Sequence, residues 1–290
     1  MSKFSGYPGN YFRMFFRALF MMAVVLYALS LTAQEKINLM FRYQPGEIYT
    51  YRYSDTFECQ QEVREAEMNL GGGNNSMFKM EVASVSPDTS ISFIVTCVEM
   101  KSFVNNPDTV TEYNELVGKR AKVVLDRLGR ETEKEWMDSV NISGSTVSLM
   151  MGSYRSVNFF QLPCHPLAAG EHWSARINDS AEIVGGYVKQ TESIEYSLNG
   201  FSQKNGHHCL KIGYVSKSEN LGKASMEGME IYIEGTGDAS GTIWFDPDAG
   251  ILVYRESSVV QEMTYTITGS MSMSVPLIQT IKSTCSLVED

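Results

Sequence analysis

A two-residue alternation of apolar and polar side chains recurs through most of the chain, and it constrains the fold more than any other feature. Tyr49, Tyr51 and Tyr53 interleave with Thr50, Arg52 and Ser54. Ser90–Val98 reads Ser-Ile-Ser-Phe-Ile-Val-Thr-Cys-Val, and Ala121–Leu125, Thr242–Phe245, Ile251–Arg255 and Val259–Thr268 are patterned alike. Period two is the pleat of a strand, and β-branched and aromatic residues suit it. Turn-forming clusters punctuate these runs: Gly71-Gly72-Gly73-Asn74-Asn75, Ser86-Pro87-Asp88, Asn105-Asn106-Pro107-Asp108, Asn205-Gly206 and Asp246-Pro247-Asp248-Ala249-Gly250. Many strands separated this way predict an all-β, mainly antiparallel protein, built as a curved sheet, half-barrel or sandwich.

One stretch departs from the alternation. Within Trp136–Leu162, Val147, Met150, Met151, Tyr154 and Val157 stand three and four apart, the spacing of a helix face. Gly144 and Ser145 can open such a helix and Pro163 ends it. One short helix is therefore expected between two β regions.

Those two regions repeat each other. Gly46-Glu47-Ile48-Tyr49 matches Gly170-Glu171-His172-Trp173, followed at equal distances by Arg52 and Arg176, Asp55 and Asp179, Glu58 and Glu182, all at an offset of 124. Farther on, Val123–Asp126 with Gly129 matches Thr242–Asp246 with Gly250, the second turn being one residue longer. Two matches in the same order predict two copies of one β module. The expected organisation is a first repeat over 37–139, a connecting segment over 140–161 and a second repeat over 162–289. Gly46, Tyr49, Asp126 and Gly129 define the first copy, and Gly170, Trp173, Asp246 and Gly250 the second. Glycine lets the chain turn at positive φ, the aromatic after it packs inward, and Asp before a glycine-containing turn is hairpin chemistry.

The first 33 residues differ in kind. Lys3, Arg13 and Arg17 are their only charges, an apolar run covers Ala18–Leu31, and Leu31-Thr32-Ala33 precedes Gln34. A basic start, a short apolar centre and a small residue at the cut form a secretory signal, and the run is short for a membrane span of roughly 20 residues. The retained-anchor reading draws on the long preamble before that run. Export to the periplasm or beyond the cell, with outer-membrane association as one variant, follows; no second long apolar run calls for a transmembrane span in the mature chain. Removal of the signal leaves 21 basic against 34 acidic residues. That balance repels phosphate backbones and argues against nucleic acid as partner. Cys59, Cys97, Cys164, Cys209 and Cys285 are widely spaced. They read either as buried thiols or as one bridge with leftovers, and no Cys-x-x-Cys pattern points to zinc.

No residue set points to catalysis, to a cofactor or to a metal. Adjacent His207 and His208 face opposite sides of a strand and cannot share one ion, and His172 occupies the place of Ile48 in the repeat, a packing role. Gly235–Gly241 reads as a flexible turn rather than a nucleophile elbow or a dinucleotide loop. Asp246–Gly250 begins like a calcium loop but lacks the later ligands. Glu131 and Glu133 share a strand face at best. Methionines, among them Met77, Met80, Met226, Met229, Met263, Met271 and Met273, gather near the strand segments, where thioethers fill cores or line adaptable pockets. A helix over a concave sheet would set Met150, Met151, Tyr154 and Phe159 against an apolar cavity. The expected role is non-enzymatic binding of an apolar, lipid-like small molecule or an envelope protein; the alternative is a structural or adaptor module of a surface assembly.

The start at Pro45–Arg52, the Leu125–Gly129 turn, the Leu162–Trp173 stretch and the Gly241–Gly250 end resemble an uncharacterised family of exported bacterial proteins with two β repeats. That family carries no activity to transfer. A curved antiparallel sheet with a helix across its concave face is also similar, remotely, to the periplasmic lipoprotein-carrier fold, and the resemblance implies carriage of an acyl chain. If the signal is cut as read, N-terminal sequencing of the exported protein will begin at Gln34.

Overall fold

The alternation is borne out as strands, most of them longer than the segments that announced them. The computed structural model describes residues 36–63, 66–87, 90–105, 110–112, 116–139, 159–183, 185–226, 228–269 and 272–288. The chain has two compact units, Met1–Ile37 and Asn38–Asp290, and the sheet lies in the second. Its strands are β1 (Ile48–Val63), β2 (Ala66–Val85), β3 (Ile91–Val104), β4 (Val110–Glu112), β5 (Arg120–Leu125) and β6 (Glu131–Trp136), then β7 (His172–Ile183), β8 (Gly186–Lys204), β9 (His207–Met226), β10 (Met229–Asp246), β11 (Ile251–Thr268) and β12 (Met273–Val288). All pair antiparallel in one sheet, ordered β6-β5-β3-β2-β1-β12-β11-β10-β9-β8-β7, with β4 beside β3. The sheet is open, with β6 and β7 at its edges, so neither a closed barrel nor a two-sheet sandwich forms. No helix occurs among the described residues, and the predicted helical stripe, with Val147, Met150, Met151, Tyr154 and Val157, lies outside them.

Two glycine clusters read as turns are strand interior instead. Gly71–Asn75 runs through β2 and Gly235–Gly241 through β10. Neighbouring side chains lie over the bare backbone. A Cβ at Gly72 would stand 2.6 Å from the Phe57 ring, one at Gly73 2.8 Å from Phe103, and one at Gly241 2.6 Å from the Tyr214 hydroxyl. Along β10, Ser218 of β9 and Met263 of β11 lean in from opposite sides over Gly237 and Gly235. At Gly72, Gly235, Gly237 and Gly241 glycine relieves crowding on the inside of a curl, and at Gly73 it does so against Phe103 on the other face; none of them turns the chain.

One end of the sheet is closed by aromatic packing. Phe93 on β3 meets Phe159 at 5.3 Å, Phe159 meets Phe41 at 5.7 Å, and Phe41 meets Phe245 on β10 at 5.5 Å. On a flat sheet five strand spacings would separate β3 from β10 by about 24 Å. Three ring contacts span less, so the sheet curls at this base around residues 39–43 and 159–162. Phe160 extends the cluster to Tyr196 on β8, which stacks on Trp173 of β7. The backbone of the same inner segment is anchored on both sides: Phe41 N–H donates to Arg127 O at 3.1 Å and Arg42 N–H to Gly250 O at 3.1 Å.

The residues that defined the repeat occupy turns built alike. Glu47 N–H donates to Gln44 O and Gln44 N–H to the Glu47 carboxylate; Glu171 N–H donates to Ala168 O and Ala168 N–H to the Glu171 carboxylate. Gly46 and Gly170 have φ of 88° and 86° and donate to Val82 O and Leu198 O. Tyr49 and Trp173 follow on the inner face. Ile48 and His172 both face solvent, which removes the packing role expected for His172. In the second pair of turns, Asp126 Oδ1 accepts the N–H groups of Leu128 and Arg130, and Asp246 Oδ1 those of Asp248 and Ala249. Gly129 and Gly250 close these turns at φ of 81° and 69°. Pairing is likewise parallel in plan: β1-β2-β3-β5-β6 and β7-β8-β9-β10-β11 are each laid side by side in chain order, and β12 sits between β11 and β1.

A Cβ at Gly46 or Gly170 would meet no atom within 4 Å, whereas one at Gly129 would run into Phe160 O and the Phe41 ring. Alanine at Gly46 or Gly170 is thus expected to cost about 1–2 kcal/mol, the left-handed backbone penalty alone. Alanine at Gly129 should cost clearly more, as read from urea unfolding midpoints.

Candidate ligand-binding face

Alternation along each strand sorts the side chains of this sheet onto two unlike faces. The inner face carries Phe93, Phe245, Tyr196 and Trp173 at its base. Cross-strand register extends it upward in levels. Ile243, Arg255, Cys285 and Tyr53 form one; Gly241, Ser257, Ser283, Asp55 and Asn74 the next. Above them come Ala239, Val259, Ile281 and Phe57, then Gly237, Gln261, Gln279 and Cys59, then Gly235, Met263 and Leu277. The sequence puts apolar residues at most of these positions, and the pleat does the rest.

The middle levels are polar. Arg255 Nη2 and Nε donate to the Tyr214 hydroxyl at 3.0 and 3.3 Å, and the guanidinium lies 5.2 Å from the Tyr214 ring centre. Burial works against its charge, but Tyr214, Tyr196 and Tyr53 outweigh it and hold the group more firmly protonated than usual. Burial pushes the Asp55 carboxyl above its ordinary range, against a hydrogen bond from Ser283 and the charge of Arg255. The Tyr196 hydroxyl is pushed up to about 12, chiefly by burial. On β9, Ser216, Ser218 and Asn220 continue this polar line upward, each buried.

Higher on the face, Phe57, Val259, Ile281, Met263, Leu277 and Tyr265 are only half-buried. They lie on β1, β11 and β12 in two apolar tiers, with Gln261 and Gln279 on the level between.

The opposite face is hydrophilic. A hollow of about 910 Å³ is lined by Glu62, Glu67, Glu219, Glu234 and Glu262 with Leu221 and Ile278, and also by Asn220, Met263 and Leu277 of the inner-face levels. A second, of about 460 Å³, is walled by hydroxyls such as Ser54, Thr56, Ser240 and Thr284.

Of the residues expected to bound an apolar cavity, Met150, Met151 and Tyr154 lie outside the described residues. Phe159 is half-buried in the aromatic base against Phe41 and Phe93. Met80 is fully buried, while Met263 and Met273 take the inner face, a role the methionine pattern foresaw only in kind. His207 Nδ1 lies 2.8 Å from Asp246 Oδ2, and His208 stacks on Phe201 at 4.6 Å. The two rings do take separate partners. With the backbone donors of Asp248 and Ala249, His207 outweighs burial and lowers the Asp246 carboxyl, whose oxygens are thereby spoken for. All five cysteines are free thiols, Cys97, Cys209 and Cys285 buried and Cys164 exposed. Among the described residues no three His, Cys, Asp or Glu side chains converge as metal ligands, and no helix is long and apolar enough to cross a membrane.

No protein-family model matches the chain, and no curated protein sequence does. Among solved structures, the chain is similar to lipovitellin, from a study of lipid–protein interactions, at 12% identity and a TM-score of 0.46 over 86% of this chain. It spans 26% of the lipovitellin chain. It is also similar to OccK2 (OpdF) of Pseudomonas aeruginosa, at 5% identity and a TM-score of 0.29, covering 84% of this chain and 98% of that one. An outer membrane channel from Pseudomonas putida F1 gives 8% identity and a TM-score of 0.23, covering 84% and 97%. At these scores the likeness carries no statement about ligand or partner.

Because the folded Asp55 carboxyl is raised, the stability it contributes is full below the ordinary aspartate value near 3.9 and is lost as pH rises through the raised value. Wild type should therefore gain stability relative to Asp55→Asn on acidification from pH 7 to 4, read as the difference in urea midpoints. A gap that does not change with pH would show Asp55 to titrate normally.

Proposed function

We propose that this chain is an exported, non-enzymatic binding protein that holds an apolar, lipid-like ligand on the inner face of its sheet, and that the sheet is made of two copies of one β module joined by β12. The observation that carries the ligand reading is the set of half-buried apolar side chains Phe57, Val259 and Ile281 and, beyond the Gln261 and Gln279 level, Met263, Leu277 and Tyr265, above a sealed aromatic base. Curling over the β10 glycines makes that face concave, which favours a ligand with a narrow cross-section. Apolar contact there is worth about 25 cal/mol per Å² removed from water. The matched hydrogen bonds of the Gly46 and Gly170 turns support the duplication, and the basic, then apolar N-terminal segment supports export.

A structural or adaptor role in a surface assembly is the second reading. It is favoured by β7, a twelve-residue edge strand able to take a partner strand.

Uptake of a neutral apolar fluorescent dye by the delipidated protein tests the first reading. Leu277→Glu, on the inner face, should weaken uptake at least tenfold. Ile278→Glu, its chain neighbour on the outer face, should leave uptake unchanged. Absence of any uptake by wild type, or equal loss in both variants, would sink the apolar-ligand reading.

A further inference from the structure

Among the described residues, Asn220 supplies a buried donor without an internal partner on the upper inner face, as Asn74 Oδ1 is a buried acceptor without one lower down. Asn220 of β9 is 7% exposed, and its Nδ2 amino group makes no hydrogen bond. Register sets it on one level with Gly235 of β10, Met263 of β11 and Leu277 of β12. At Gly235 the missing side chain admits Met263, whose Cγ lies 2.8 Å from where a Cβ would stand. The thioether therefore leans from β11 toward Asn220. Just below, Ser218 is buried too but is served, its hydroxyl donating to Gly237 O at 3.5 Å. A buried N–H donor next to oily side chains is costly unless an acceptor reaches it. A pure hydrocarbon covering this level would seal the amide away unpaired. A ligand bearing an oxygen at one end and hydrocarbon beyond it satisfies both sides at once.

We infer that Asn220 is the head-group contact of the inner face. The ligand is an acyl amphiphile whose carboxylate or phosphate oxygen accepts the Asn220 Nδ2–H while its chain covers Met263 and Leu277. On the sheet those two side chains stand about 10 and 14 Å from Asn220, two and three strand spacings away. That is within the reach of one acyl chain. This inference rests on the apolar-ligand reading and adds the ligand's polar end.

The experiment compares three probes on the delipidated full chain: a fluorescent long-chain carboxylate, a fluorescent phospholipid analogue and a neutral apolar dye. Asn220→Leu removes the donor at nearly constant volume. It should weaken the headed probe that binds by about five- to tenfold, the loss of one hydrogen bond. It should leave the neutral dye within twofold and should not lower the unfolding temperature of the ligand-free protein, since an unpaired amide is removed. Asn220→Ala should give the same split between probes if the leucine variant does not fold. Whether the carboxylate or the phospholipid responds tells which source supplies the oxygen. Equal change for headed and neutral probes, no change for any, or a lowered unfolding temperature without ligand would overturn the assignment while leaving the apolar face standing. Failure of wild type to bind all three would remove the underlying reading as well.

Discussion

The packing of Phe41 is the contact on which the rest of this sheet depends. Its ring touches Phe159, Phe160 and Phe245, and its N–H is held by the turn that follows β5. The next residue, Arg42, donates to the turn that follows β10. One short segment thus ties the Asp126 turn to the Asp246 turn, although these belong to opposite halves of the sheet. A sheet of long antiparallel strands has two faces, and it is stable in water only if one is buried. Here no second layer is present among the described residues, so the sheet must supply its own cover by curling. The aromatic base fixes where that curl begins, and β12, between β11 and β1, makes the two halves continuous above it.

Features governed by nearby chemistry were legible in the sequence. The Gly46 and Gly170 turns, the Asp126 and Asp246 turns and the Asn205-Gly206 hairpin each rest on residues within five positions of one another, and each is found where it was read. What could not be read depends on distant partners. Gly72 sits in a strand because Phe57 lies over it, and Gly241 because Tyr214 does. Viewed locally both look like breakers, and only the neighbouring strand shows them to be relief of crowding. The same holds for the position of β12. Nothing in Met273–Val288 says that it pairs with Tyr53 as well as with Arg255, since register is decided by the match of whole faces.

The candidate site was legible only as a composition. Methionines near strands did end on the inner face at Met263 and Met273, but Met80 went to the base, and Met77 to the polar face. Asn220 carries no motif. Its signal was a conflict within the alternation: Tyr214, Ser216, Ser218 and Asn220 occupy the positions at which β9 otherwise places Leu210 and Ile212, so polar groups stand where apolar ones were due. Such conflicts between local pattern and global fold are where function tends to concentrate. Arg255 is the same kind of signal on β11, a cation at an inward position, accommodated by the hydroxyl of Tyr214.

The two faces also divide the labour of staying soluble and binding. Glu62, Glu219, Glu234 and Glu262 at outward positions of β1, β9, β10 and β11 keep that side hydrated. The edge strand β6, with Glu131, Glu133, Lys134 and Glu135 in six residues, is short and charged, which discourages pairing with another chain. An apolar inner surface can remain half-covered under these conditions only while it stays concave, because a flat face of the same composition would be a docking surface for its own copies. The glycines of β10 set that concavity. Side chains from β9 and β11 close over them, so filling those positions would force the strands apart and flatten the face. Curvature, and with it the capacity to shelter an acyl chain without aggregating, is therefore written into residues that contribute no contact of their own.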